Sequence, residues 1–128
     1  MIVAGVGCRR GAPAPDIEAA IRAALDRAGV APQTLHRIAT TAAKNGEAGI
    51  AAAAERLGVG VVLIANADLV AAGDRAVTRS ARVLALAGVP SVAETAALAA
   101  AGPSARLIGP RLVMGDVTCA VAASGGAP

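Results

Sequence analysis

The chain contains no phenylalanine, tyrosine or tryptophan among its 128 residues. A core must therefore be built from aliphatic side chains and many alanines, which favours thin and closely packed layers. Proteins that bind single-stranded nucleic acid usually stack the bases on aromatic side chains, so this absence argues against that class. The length is that of one domain with its own core, and we expect residues 1–128 to form it.

Cysteine and histidine are also scarce. Cys8 and Cys119 form no CxxC pair and are too few for a disulfide framework, so we expect reduced thiols in a cytoplasmic protein. Cys119 lies in an apolar run, where a free cysteine behaves as a small hydrophobic residue. His36 is the sole histidine, and no partner pattern typical of a metal site or a nucleophile accompanies it. We therefore expect His36 to be structural and the protein to hold no metal of its own.

Long apolar runs are missing as well. No run approaches the roughly 20 residues that a membrane-spanning helix needs, and the first residues lack the basic start and apolar length of a signal peptide. The positive mean hydropathy comes from alanine. The sequence therefore predicts a soluble protein without a membrane partner.

Lysine is also scarce. Eleven arginines and one lysine, Lys44, oppose nine acidic residues and give a net charge of +3. Arg9 and Arg10 are the only adjacent basic pair, whereas nucleic-acid-binding proteins usually carry a denser basic stripe. We expect no nucleic-acid partner, and a small polyanion fits this charge better. A single lysine in an arginine-rich chain indicates a need for a compact ammonium, and an exposed lysine in a turn is the ordinary alternative.

Glycine and positive charge meet where the first predicted strand, residues 2–7, ends. Gly7, Cys8, Arg9, Arg10 and Gly11 follow one another there. Glycines let the backbone turn sharply and approach a ligand closely, and paired guanidinium groups suit a carboxylate or a phosphate. Solvated surface charge is the alternative explanation for the two arginines. Cys8 is either a thiolate with a lowered pKa or a small residue that fits the turn, and we favour the second interpretation.

The glycine spacing invites comparison with a dinucleotide-binding fingerprint. Its form over Gly5–Gly11, G-x-G-x-x-x-G, is one residue longer than usual. Pro13 and Pro15 also delay the helix, which in that fingerprint begins inside the loop. Thr40 and Thr41 stand where an acidic residue should end the second strand. These departures argue against binding of NAD or FAD.

Hydrophobic periodicity predicts alternating strands and helices. The predicted strands 2–7, 35–43 and 59–64 alternate with helices 15–28 and 47–57, which implies parallel strands with right-handed crossovers. Residues 44–47 form a turn in this prediction. Residues 66–102 are predicted to be mostly helical, with a capping box over Ser91–Glu94 starting a helix that ends near residue 101.

The end of the chain has a different pattern. Residues 106–114 and 117–123 are predicted to form a hairpin around Gly115-Asp116, and residues 124–128 a loose tail. The predicted fold is thus an α/β three-layer sandwich. Its central sheet is mixed, mostly parallel and of about five strands, with helices on both faces and a C-terminal β-hairpin.

This topology brings the turns after the first two strands to the same edge of the sheet. We therefore expect the Cys8–Arg10 segment and Lys44 to face one pocket. Ser91 is first of all a helix cap, and its helix N-terminus can also attract an anion. The sequence contains no GxSxG, HExxH or paired-carboxylate signature, so it offers few catalytic groups.

Together these positions resemble the family formed by the carboxy-terminal domain of the cobalamin-biosynthesis protein CbiG and its stand-alone counterpart CobE. The resemblance covers nearly the whole chain, and its stand-alone length points to the CobE side. Its specific part is the G-x-G-C-R-R-G loop at Gly5–Gly11. The weaker parts follow in the family's order: a K-x-x-E-x-G turn at Lys44–Gly49, a T-x-S-x-R-V segment at Thr78–Val83, an S-V-A-E helix start at Ser91–Glu94, and the closing hairpin at Pro110–Ala122.

Three positions depart from the family's pattern. Pro90 replaces a glycine, Arg111 replaces a lysine and Asp116 replaces an asparagine. Arg111 keeps the positive charge of the lysine, whereas Asp116 introduces a negative one.

The resemblance implies a role in building the corrin ring of vitamin B12. Corrinoid and precorrin intermediates carry many acetate and propionate carboxylates, which suit a cleft lined by arginine and lysine. Our leading hypothesis is an accessory or carrier protein that binds such an intermediate and needs no cofactor beyond this ligand. The expected ligand-binding residues are Gly7, Cys8, Arg9, Arg10, Gly11, Lys44, Glu47, Ser91 and Arg111.

Two other functions remain open. One is a hydrolase that opens a lactone ring on a precorrin or cobalt-precorrin, as CbiG does, with Lys44 or Cys8 assisting. The other is a subunit that binds other cobalamin-biosynthesis enzymes and no ligand of its own.

Overall fold

The computed structural model of the protein describes residues 1–76 and 91–125. The predicted T-x-S-x-R-V segment at Thr78–Val83, Pro90 and residues 126–128 of the predicted tail lie outside the described residues. In the described part, no helix combines the length and apolar character needed to cross a membrane.

One mixed sheet gathers the six strands of the described residues in the order β3-β2-β1-β6-β4, with β5 also paired to β6. The β1–β2 and β2–β3 pairs are parallel, and β6 runs antiparallel to β1, β4 and β5. The strands are β1 (Ile2–Cys8), β2 (Leu35–Thr41), β3 (Gly60–Ile64), β4 (Arg106–Leu107), β5 (Leu112–Met114) and β6 (Val117–Ala123).

Helices cover both faces of the sheet. Two of them pack on one face with a core that includes Ile17, Ile21 and Ile38, and two pack on the other face with a core that includes Leu69 and Leu98. Within the described residues the helices are, in that order, α1 (Ala14–Arg27), α2 (Ala48–Leu57), α3 (Asn66–Ala72) and α4 (Val92–Ala101). The predicted three-layer α/β sandwich is confirmed.

Proline and glycine set several of these boundaries as the sequence predicts. Pro15 lies in the first turn of α1, where its missing N–H costs no helical hydrogen bond. Gly58 ends α2 with a φ of 73°, a left-handed conformation that favours glycine. The second strand ends at Thr41 rather than at residue 43, because Ala42–Lys44 form a short 3-10 turn.

The predicted strand 106–114 is wrong as a single strand, and this raises the strand number from about five to six. Gly109 has a φ of 80°, outside the extended region, and Pro110 has no N–H to donate to a ladder. The backbone therefore leaves the sheet between β4 and β5, and both short strands pair with β6 on the same edge. Antiparallel pairings consequently outnumber parallel ones.

α4 approaches β1 very closely. A Cβ atom at Gly5 would overlap the carbonyl oxygen of Ala93 and lie 2.7 Å from the nitrogen of Ala97. Ala93, Ala96 and Ala97 are buried on this helix face. Glycine on the strand and alanine on the helix thus let the two backbones pack against each other. Aromatic side chains between them would prevent this packing.

His36 has the structural role that we expected. The β1–β2 register shifts between Ile2 and Val3, so His36 lies in a bulge between the partners of these two residues. Its Nδ1 accepts a hydrogen bond from the Ile2 N–H at 3.0 Å. The imidazole therefore supplies an acceptor where the regular ladder is interrupted.

We expect Gly5→Ala to lower the free energy of unfolding by about 3 kcal/mol, because the added methyl must push α4 off β1. Gly60→Ala is the matched control, since its nearest neighbour is the Arg37 side chain at 3.9 Å, and we expect a change within about 0.5 kcal/mol. Urea unfolding followed by far-ultraviolet circular dichroism measures both variants. Equal stabilities of the two variants would contradict the close contact.

Candidate functional site

Four segments meet at the carboxyl end of β1, and we call this place the rim. They are the loop after β1 (residues 9–13), the turn after β2 (residues 42–47), the hairpin turn at Gly115-Asp116 and the first turn of α4. The Arg9 N–H donates to the carbonyl oxygen of Asp116 at 3.2 Å, and a Cβ at Gly7 would lie 4.0 Å from the nitrogen of Ala93. The predicted meeting of the first two turns at one edge of the sheet is observed.

Glu47 ties the first loop to the turn after β2. Its carboxylate accepts a hydrogen bond from the Gly11 N–H, and Gly11 has the left-handed φ of 78°. A Cβ at Gly49 would overlap the carbonyl oxygen of Ala12. Glu47 and Gly49 of the K-x-x-E-x-G turn thus hold the first loop in place. Sequence reasoning missed this role, since it concerns a contact between distant segments.

Lys44 lies half-buried at the mouth of a cavity of about 170 Å³. Within residues 1–76 and 91–125, its ammonium has no carboxylate at ion-pair distance and donates no hydrogen bond. The cavity separates the end of the sheet from α2. Thr40, Glu47, Ile50, Val61 and Leu63 are among its lining residues.

Thr40 explains why no acidic residue ends the second strand. Its side chain is fully buried, and its hydroxyl donates to the carbonyl oxygen of Val6 at 2.7 Å. A carboxylate could not donate there. Thr40 stands where a dinucleotide-binding fingerprint has an acidic residue. It therefore serves the packing between β1 and β2 instead.

Arg9 and Arg10 differ in their surroundings. The Arg9 guanidinium lies 3.3 Å from the Asp116 carboxylate, and both side chains are well exposed, at 78% and 64%. Such an exposed pair contributes little to stability. Arg10 is exposed and has no ion-pair partner among the described residues. The Asp116 carboxylate thus offsets the positive charge of Arg9 but not that of Arg10.

Ser91, Glu94 and Arg111 form a second group, across β1 from Lys44. The Ser91 hydroxyl accepts the Glu94 N–H at 3.4 Å, which is the predicted helix cap. Ser91 and Glu94 are both fully buried. The Glu94 carboxylate accepts a hydrogen bond from the backbone N–H of Arg111 at 3.0 Å. The sequence did not predict this link between α4 and the segment before β5.

The two groups lie on opposite sides of the β1–β6 pair. Lys44 follows β2, whereas Arg111 precedes β5, and β1 and β6 lie between those strands. Three strand spacings correspond to roughly 14 Å. Lys44 and Arg111 therefore do not border one small pocket, and a ligand that contacts both must be large.

Both thiols have a raised pKa. Burial raises the pKa of Cys8, the nearby Lys44 charge opposes this, and the Glu47 charge adds to it. Burial also raises the pKa of Cys119 to about 12. The thiolate interpretation of Cys8 requires a lowered pKa, so the geometry favours the small-residue interpretation.

Metal ligands do not cluster in the part of the chain that the structure describes. No group of three or more histidine, cysteine or acidic residues there could hold a metal ion.

A model of the family described as Cobalamin synthesis G C-terminus matches residues 2–122. The chain belongs to this family. It is a cobalamin-biosynthesis protein of the CobE/CbiG type. Protein CobE of Sinorhizobium sp is 39% identical over 121 residues, which cover 94% of this chain and 79% of that protein.

Solved structures agree with this membership. The crystal structure at 1.7 Å resolution of CobE, a protein from the cobalamin (vitamin B12) biosynthetic pathway, matches with a TM-score of 0.89 and 33% identity, covering 95% of this chain and 89% of that one. The cobalamin biosynthesis protein chiG from Agrobacterium tumefaciens str. C58 matches with a TM-score of 0.74 and 41% identity, covering 98% and 100%.

The opposite influences of Lys44 and Glu47 on Cys8 give a test of the rim geometry that needs no ligand. We expect Lys44→Ala to raise the pKa of Cys8 further and Glu47→Gln to lower it. The pH dependence of Cys8 alkylation by iodoacetamide, measured by mass spectrometry of the Cys8 peptide, reports this pKa.

Arg106→Ala is the control for this measurement, because Arg106 pairs with Ala123 at the opposite end of the sheet and should leave the Cys8 profile unchanged. Shifts of the same sign in the Lys44 and Glu47 variants would contradict the proximity of both charges to the thiol.

Proposed function

We propose that the protein is a carrier that binds a corrinoid intermediate of cobalamin biosynthesis through the carboxylates on the ligand's periphery. The observation that carries the proposal is the distribution of charge at the rim. Arg10 and Lys44 have no ion-pair partner in the described part of the chain, whereas the rim's carboxylates at Glu47 and Asp116 already have partners. Positive charge is therefore left for a ligand.

The spacing of the cations supports a large ligand. Lys44 follows β2 and Arg10 follows β1, whereas Arg111 lies beyond β6. A macrocycle with several carboxylate arms can reach such separated cations, whereas a small anion can contact only one group. Several charge-assisted contacts of this kind give affinity and fix the ligand's orientation.

The ligand's flat faces would then rest on aliphatic surface, because the chain has no aromatic side chain. Leu63, Val113 and Met114 are exposed large apolar residues near strand ends at the rim. Exposed apolar surface next to unpaired cations is typical of a site for an amphipathic ligand.

Binding without turnover is favoured over lactone hydrolysis. Hydrolysis needs an activated water or nucleophile, and burial keeps the pKa of the Cys8 thiol raised. A carrier passes its ligand to an enzyme of the same pathway, so we expect other cobalamin-biosynthesis enzymes as transient partners.

The first test is a titration with hydrogenobyrinic acid, a cobalt-free corrin with free carboxylates. We expect a saturable shift of its visible spectrum and its co-elution with the protein on gel filtration. Arg10→Ala and Lys44→Ala should each weaken binding about tenfold, since a hydrogen bond to a charged group contributes about 1.5 kcal/mol.

Arg106→Ala, at the far end of the sheet, should bind like the parent. Unchanged affinity in folded Arg10→Ala and Lys44→Ala variants would refute this binding site. A gain of one water in the mass of a lactone-bearing precorrin after incubation with the protein would replace the carrier function with hydrolysis.

Asp116→Asn should tighten binding of the same ligand several-fold. The substitution removes a carboxylate that pairs with Arg9 and repels an anionic ligand, and the gain should shrink at high salt because both groups are exposed. Asp26→Asn, in the last turn of α1, is the control for a general change in net charge. Weaker binding by Asp116→Asn would contradict this expectation. It would show that the Arg9–Asp116 pair holds the loop in the conformation that binds the ligand.

A further inference from the structure

We propose that the cavity beside Lys44 receives one aliphatic carboxylate arm of the ligand and prefers a propionate to an acetate arm. This inference rests on the proposed function and assigns one part of the ligand to one place. The arm's methylene groups would lie along the aliphatic wall of the cavity, and its carboxylate would pair with the Lys44 ammonium.

The walls of the cavity suit a hydrocarbon segment. Ile50 lies on the α2 side and Val61 and Leu63 lie on β3. Ile50 is almost fully buried, whereas Leu63 is 42% exposed. An exposed leucine at the opening of a cavity loses water-accessible surface when a ligand arm enters, which favours an arm with methylene groups.

The single cation at the opening suits a carboxylate. Lys44 is half-buried, so an ion pair formed there is screened less than one on the open surface. Lys44 lines the cavity, and its charge also opposes the rise in the Cys8 pKa. The neighbouring Glu47 carboxylate is held by the Gly11 N–H.

The backbone of the turn does not suit a phosphate. Phosphate sites usually present several free backbone N–H groups. Here the N–H groups of Ala43, Asn45 and Glu47 donate to Thr41, Ala42 and Lys44 within the turn. The Thr40 hydroxyl donates to the carbonyl oxygen of Val6. One ammonium over an aliphatic wall therefore points to a carboxylate on a short alkyl chain.

The length of the ligand's carboxylate arm should affect its affinity for the cavity. A propionate arm has one more methylene than an acetate arm, and burial of one methylene favours binding about fourfold. The cavity of about 170 Å³ leaves room for either arm, so contact with the wall decides the preference.

Binding of small acids tests the cavity directly. In protein labelled at Ile, Leu and Val methyl groups, sodium propionate should shift the resonances of Ile50, Val61 and Leu63, and sodium acetate should shift them less. Propionamide, which has the same length without the charge, should have little effect, and Lys44→Met should abolish the propionate shifts. Equal effects of propionate and propionamide, or an absence of propionate shifts at these residues, would overturn the inference.

A substitution that fills the cavity tests whether hydrogenobyrinic acid uses it. Ala51 lines the cavity and is exposed on α2, so Ala51→Leu keeps a good helix former and should leave folding intact. We expect this variant to bind hydrogenobyrinic acid at least tenfold more weakly. Ala19→Leu is the matched control, because Ala19 is exposed on α1 and does not line the cavity.

The outcomes separate this inference from the proposed function. Parent-like affinity of folded Ala51→Leu for hydrogenobyrinic acid would overturn the cavity assignment and leave corrinoid binding in place. Failure of the parent protein to bind hydrogenobyrinic acid would instead refute the carrier function, and the propionate spectra would still decide whether the cavity accepts a carboxylate arm.

Discussion

The contact between α4 and β1 is the constraint on which the rest of the structure depends. Gly5 removes the side chain that would keep the strand from the helix backbone at Ala93. The first turn of α4 therefore lies beside the end of β1, where Glu94 can accept the Arg111 N–H. A chain without aromatic residues gains close backbone packing in this way, and the Glu94–Arg111 hydrogen bond links α4 to the segment before β5.

The acidic residues of the rim act mainly within the protein. Glu47 holds the first loop, Glu94 holds the segment before β5, and Asp116 pairs with Arg9. These contacts fix the loops without using Arg10 or the Lys44 side chain. The carboxylates of the rim thus have partners within the protein, and Arg10 and Lys44 carry the positive charge on which the proposed binding of a polycarboxylate ligand rests.

Much of this could be predicted from the sequence because it depends on local rules. Prolines and glycines mark where helices begin and end, and alternating strands and helices bring the first two turns to one edge. The family resemblance at Gly5–Gly11 and Lys44–Gly49 was confirmed by the family match over residues 2–122. The assignment of Arg9, Arg10, Lys44, Ser91 and Arg111 as ligand contacts stays a prediction.

The sequence by itself determined most of the described strands and helices, their order and the edge at which the first two turns meet, because these follow from periodicity and from the handedness of strand connections. Only the tertiary structure decided that β4 and β5 pair separately with β6, that Gly5 and Gly49 serve packing, and that Glu47 reaches Gly11. These features join segments far apart in the chain. They depend on strand register and on the distance between layers, which no local pattern specifies.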